Sequence, residues 1–164
     1  MKRVVFGRVV FGCILLLFLV GCTDKANVTM PEDLPDFVQE SDIASVDWNQ
    51  KAVEFGDRGI IGNADKSGVI GANMPSLSTQ KWMWHLWGID EVRDTELTVI
   101  GYHRDSKVIQ PILANGWSIG LGGPVNGADA HTPSHVKVPK PGEWAILLYT
   151  NEKYFDTLIY DIQE

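Results

Sequence analysis

Three of the chain's six tryptophans fall within six residues, in Lys81-Trp82-Met83-Trp84-His85-Leu86-Trp87-Gly88, and this stretch constrains the fold more than any other. Read as a strand, whose side chains alternate between two faces, it places Trp82, Trp84 and Leu86 on one side and Met83, His85 and Trp87 on the other. Burying three indoles removes about 450–750 Å² from water, about 11–19 kcal/mol of gross driving force before conformational entropy is subtracted. A small domain can be organised around such a strand.

The opening of the chain is of another kind. Lys2, Arg3 and Arg8 precede an apolar run from Val9 to Val20, followed by Gly21 and Cys22. A charged start, an apolar stretch of about a dozen residues and a small residue before the cut site make a secretory signal. The run is shorter than the ~20 residues a membrane-spanning helix needs. Leu19-Val20-Gly21-Cys22 resembles the lipobox of bacterial lipoproteins, in which the cysteine is lipidated and becomes the first mature residue. The expected division is residues 1–21 as a removed signal peptide, 22–50 as a lipidated tether and 51–164 as a folded domain. The expected location is the outer face of the bacterial cytoplasmic membrane, held by lipid on Cys22.

Of the two cysteines, Cys13 leaves with the signal and Cys22 carries lipid, so no disulfide is available in an oxidising compartment. Loss of Lys2, Arg3 and Arg8 leaves 11 basic against 21 acidic residues, a net charge of −10. That balance argues against nucleic acid as a partner and against electrostatic adhesion to anionic lipid, so membrane attachment rests on the acyl chains. Residues 22–50 are rich in Asp, Glu, Ser and Pro, with acidic residues at 32, 33, 36, 40, 42 and 47. Such a composition reads as a spacer. The alternative is that Leu34, Phe37, Val38 and Ile43 dock on the domain.

Beyond residue 50 the apolar residues come in short runs separated by turn residues, with no convincing 3.6-residue period. Candidate strands are 52–55, 60–61, 69–70, the tryptophan strand, 96–102, 107–113, 117–121, 134–138, 144–150 and 154–162. Pro111 places the strand 107–113 at a sheet edge. Residues 96–113 and 144–162 each read as a hairpin. Several short strands at such spacing predict an all-β fold, an antiparallel β-sandwich.

Met83-Trp84-His85-Leu86-Trp87-Gly88, the loop Asn126-Gly127-Ala128-Asp129-Ala130-His131 and Pro141-Gly142-Glu143-Trp144 together resemble a family of small lipoproteins from Bacillus-type bacteria, known only as a domain of unknown function. The resemblance covers roughly residues 52–164. It implies an immunoglobulin-like sandwich behind a lipobox, and it brings no activity, substrate or catalytic residue.

Three constellations could carry chemistry. Gly116-Trp117-Ser118-Ile119-Gly120 matches the G-x-S-x-G nucleophile motif, with Asp129 and His131 or His135 following in hydrolase order. Its context fails, because Leu121-Gly122-Gly123-Pro124 cannot begin the helix that the motif requires. Asp129, His131 and His135 could hold a divalent metal through carboxylate and imidazole, although turn capping and solvated histidines explain the same residues. His85 and Trp87 lie on the strand face that a two-layer sandwich leaves uncovered, where aromatic residues can contact a cell-surface protein, peptide or glycan. The leading expectation is a non-catalytic binding module with no cofactor beyond its lipid; a metal-binding surface protein is the alternative, and a serine hydrolase ranks third.

Overall fold

A computed structural model describes residues 28–71 and 77–164. Among the described residues, ten strands form two antiparallel sheets. Sheet I holds β1 (Val53–Phe55), β2 (Ile60–Asn63), β3 (Ser67–Gly71), β4 (Gln80–Leu86) and β8 (Ala130–Val136), in that spatial order. Sheet II runs β10 (Lys153–Ile162), β9 (Gly142–Thr150), β5 (Glu96–His103), β6 (Ile109–Pro111), with β7 (Ser118–Gly120) also paired to β5. The order β3-β4-β8 against β10-β9-β5-β6 corresponds to strands A-B-E and G-F-C-C′ of an immunoglobulin-like sandwich, with β1 and β2 widening the first sheet. The all-β sandwich is as expected. Both hairpins form, and β6, with Pro111, is an edge strand.

The alternation of the tryptophan strand positions the core. Trp82, Trp84 and Leu86 are fully buried between the sheets, where they join Val69, Leu97, Val99, Trp144, Ile146, Leu148 and Leu158. Each buried indole N–H finds an acceptor: Trp82 Nε1 donates to Gln80 Oε1 at 3.0 Å, Trp84 Nε1 to Ser134 Oγ at 2.8 Å and Trp144 Nε1 to Lys140 O at 3.1 Å. These bonds matter because a buried polar group without a partner costs about 1–3 kcal/mol. Tyr160 also reaches across the sandwich, donating its hydroxyl to Ile61 O at 2.9 Å, and burial pushes its phenol well above the usual tyrosine range.

Sheet II is buried on both faces. Ile100, Tyr102, Ala145, Leu147, Tyr149 and Ile159 form a second cluster on its outer side with Leu34, Val38 and Ile43. Residues 28–50, expected as a spacer, therefore pack along the sheet. The reason is the sheet itself, whose outer face is as apolar as its inner one and needs cover. Two prolines do not prevent this, since the segment needs only turns and the short helix α1 (Glu40–Ala44). Polar bonds fix its place: Tyr149 Oη donates to Asp42 Oδ2 at 2.9 Å, and Trp117 Nε1 donates to Asp33 Oδ2 at 3.3 Å. Phe37 packs against Tyr149 with ring centroids 5.5 Å apart, and Trp48 against Tyr102 at 5.7 Å. No helix among the described residues is long and apolar enough to cross a membrane. The expected signal sequence and lipidation site, residues 1–21 and Cys22, lie outside the described residues.

Candidate functional site: the outer face of sheet I

Strand register places the candidate residues on one surface. His85 pairs with Gly68 on β3 and with His131 on β8, Met83 with Ile70 and Pro133, and Lys81 with His135. All of these side chains point away from the core. Val53 and Phe55 extend the same face through their pairing with Gly62 and Ile60. The face is unlike its counterpart on sheet II: Phe55, Ile70, Met83 and Trp87 are half-buried, Val53 is 59% exposed, and Lys81, Pro133 and His135 are exposed. Among the described residues, no third apolar cluster forms over it.

Trp87 is half-buried. Its ring lies 5.6 Å from Phe55 and stacks on His85 at 6.2 Å with an interplanar angle of 26°. His85, by contrast, is fully buried and cannot itself meet a partner. Its cover comes from a tight turn at Asn126-Gly127, where Val125 and Ala128 exchange backbone hydrogen bonds. Both central residues have positive φ, 51° and 82°, the type I′ geometry that an Asn-Gly pair favours. The turn brings Asn126 Nδ2 within 3.0 Å of His85 Nε2, while His85 Nδ1 lies 3.0 Å from Met83 O. Nδ1–H donates to the carbonyl and Nε2 accepts from the amide, which is the hydrogen-bond set of a neutral imidazole. Burial holds its pKa below 6.5, and the His131 imidazole opposite adds to that; the bond to Met83 works in the other direction. A proton on Nε2 would also face the Asn126 amide donor.

Asp129, His131 and His135 are not brought together. Asp129 Oδ2 accepts from Gly88 N at 2.6 Å, capping the end of the tryptophan strand, where Gly88 has φ +81°. His131 Nδ1 donates to Gly123 O at 2.6 Å and so pins the glycine-rich loop. His135 lies four residues further along β8, about 13 Å away at strand rise, far beyond the ~2 Å reach of shared metal ligands. Among the described residues, no group of three or more His, Cys, Asp or Glu side chains could hold a metal ion.

Ser118 does not form a triad. It sits on β7, a strand rather than a strand-to-helix elbow, and its hydroxyl pairs with Thr98 Oγ1 at 2.7 Å. Ser118 borders two open clefts of about 320 and 350 Å³, the second of which is also lined by His135. The first is ringed by Asp94, Glu96 and Glu152. His103, the remaining histidine, is structural: Nε2 donates to Pro141 O at 3.1 Å and Nδ1 accepts from Ser106 N at 3.1 Å.

Sequence reasoning missed that the open face runs across all of sheet I, from Val53 and Phe55 to Lys81, Pro133 and His135. The available signal was the charge pattern of 130–137, whose outward positions are histidine, proline, histidine and lysine.

A search of curated proteins found no match. Among solved structures, the chain is similar to one described as "X-ray Crystal Structure of a Putative Lipoprotein from Bacillus anthracis", with a TM-score of 0.62, 20% identity, and coverage of 79% of this chain and 96% of that one. At that identity the likeness speaks to the fold. The family model described as Domain of unknown function (DUF4871) matches residues 37–160, taking in both sheets and part of the segment that covers sheet II, and the chain belongs to this family.

Proposed function

We propose that this protein is a lipid-anchored, extracytoplasmic lipoprotein whose sandwich presents the outer face of sheet I as a non-catalytic binding surface. The observation that carries the reading is the unequal treatment of the two outer faces. The chain spends residues 28–50 on covering one apolar face with Leu34, Val38 and Ile43, and leaves Phe55, Met83 and Trp87 half-open on the other. Partly exposed aromatic residues beside methionine are typical of contact surfaces.

The anchor reading is supported by Leu19-Val20-Gly21-Cys22 and by the lipoprotein name of the similar Bacillus anthracis chain. Five residues separate Cys22 from Val28, a fully extended reach of about 20 Å, so a lipid on Cys22 keeps the domain close to the bilayer. The non-catalytic reading is supported by the pairing of Ser118 with Thr98 and by the separation of Asp129, His131 and His135.

Two labelling experiments test this function. Cells expressing the chain should incorporate radiolabelled palmitate, and Cys22→Ala should abolish it; uptake by the variant contradicts the anchor. A Lys137→Cys substitution in a Cys13→Ser, Cys22→Ser background should react with a membrane-impermeant maleimide on spheroplasts, and protection there until lysis contradicts the extracytoplasmic location.

A further inference from the structure

The outward positions of sheet I carry no carboxylate. One row crosses all five strands as Val53, Gly62, Gly68, His85 and His131. In the next, Phe55 stands opposite Ile60, and Met83 opposite both Ile70 and Pro133. Beyond it Lys81 faces His135, and Lys137 is the next outward residue after β8. Within the five strands every titratable outward side chain is a lysine or a histidine, in a chain with 21 acidic and 14 basic residues. Asp129, opposite Trp87 where the strand ends, is taken up by Gly88 N at 2.6 Å.

Resting on the binding-surface reading above, we propose that this face docks a polypeptide segment bearing carboxylates beside apolar side chains. The apolar row and the lysine row are both needed for that choice. A phosphate polymer would satisfy Lys81 and Lys137 and leave Phe55, Met83 and Trp87 in water, whereas an uncharged apolar segment would waste the lysines. An acidic, apolar segment answers both, because carboxylates pair with the lysine row while its apolar side chains cover the adjacent band. The protein already uses this chemistry on its other sheet, where residues 28–50 bury Leu34, Val38 and Ile43 and spend Asp33 and Asp42 on hydrogen bonds. A bilayer is the less favoured occupant, since Val28 and Met30, the first described residues after the proposed anchor, pack on the opposite side of the sandwich.

The test uses the full chain purified in detergent and four soluble probes: a random copolymer of glutamate and tyrosine, polyglutamate, inorganic polyphosphate, and glycerophosphoglycerol, the headgroup of phosphatidylglycerol without its acyl chains. The copolymer should bind about tenfold or more tighter than the other three, and more weakly as salt is raised. Lys81→Glu with Lys137→Glu, and separately Trp87→Ala, should each weaken it about tenfold, while Lys153→Glu on the opposite sheet should not. Circular dichroism of each variant controls for folding. Polyphosphate or the lipid headgroup binding as tightly through the same residues would overturn the partner's chemistry and keep the face as a binding surface. Binding of none of the probes, or binding indifferent to all three face residues, would overturn the proposal and count against the face itself.

Discussion

The carboxylate of Asp156 on β10 accepts the side-chain amide of Asn63 on β2, with Nδ2 3.0 Å from Oδ1 and 3.1 Å from Oδ2, and so ties sheet II to sheet I. The fully buried Ser67 donates its hydroxyl to the same carboxylate, which also accepts Thr157 N at 2.9 Å. The register of β10 shifts between Tyr154 and Asp156, and that irregularity sits beside this clasp. In a sandwich with no disulfide between its sheets, such a bond set is the polar counterpart of the core. Asp156→Ala removes the acceptor of three donors, of which Asn63 Nδ2 keeps Thr157 O at 3.0 Å while Ser67 Oγ and Thr157 N lose theirs, and should cost about 1.5–3 kcal/mol in urea denaturation, against about 1 kcal/mol for Tyr160→Phe. An unchanged midpoint in Asp156→Ala would show that the clasp adds no stability.

His85 gives the fold a sensitivity to mild acid. Its pKa is held below 6.5 in the folded chain, chiefly by burial, so as pH falls the unfolded chain takes up this proton first. Its contribution to stability is therefore full above pH 6.5 and is lost as pH falls through the lower folded value. Melting temperature should drop between about pH 7 and about pH 5, and His85→Gln should flatten part of that drop. Equal slopes for the two proteins would contradict the assignment.

The segment that covers sheet II should behave as core. Ile43, 4% exposed, should lose about 2–5 kcal/mol on substitution by alanine, as buried aliphatics do. Tyr149→Phe removes only the bond to Asp42 and should cost about 1 kcal/mol. A loss near zero for Ile43→Ala would return residues 28–50 to the role of a free spacer.

Because Asp129 and His131 are held by separate partners and no third ligand joins them among the described residues, zinc, copper, calcium and chelators should each leave the melting temperature within about 1 °C, since only a ligand that binds the folded state raises it. A rise that saturates with metal concentration would contradict this geometry.

Much of the fold was legible because it is written in alternation and turns. Trp82, Trp84 and Leu86 fill the core that a period of two assigns them, and Pro111 sits at the edge where its missing N–H is harmless. The double burial of sheet II was present in the sequence but was read as one-sided. Ala145, Ile146, Leu147, Leu148 and Tyr149 are apolar at every position, the mark of a strand covered on both faces. Such a strand demands cover, and Leu34, Val38 and Ile43 supply it from a segment whose acidic composition disguised it. The first half of β8 was hidden for a different reason: His131 and Pro133 face outward at the side of the sheet and give no apolar signal. The burial of His85 could not be read from its own strand, since its cover arrives 41 residues later with Asn126.

The central claim is that one outer face is closed by the chain itself and the other is open. Hydroxyl-radical footprinting of the full chain in detergent, read by mass spectrometry, tests it residue by residue. Met83 and Trp87 should be oxidised readily, while Trp82, Trp84 and Tyr149 should be protected, with Tyr149 becoming reactive once residues 28–50 are deleted. Oxidation of Tyr149 in the intact chain as fast as Trp87, or protection of Met83 and Trp87 together, would contradict the account.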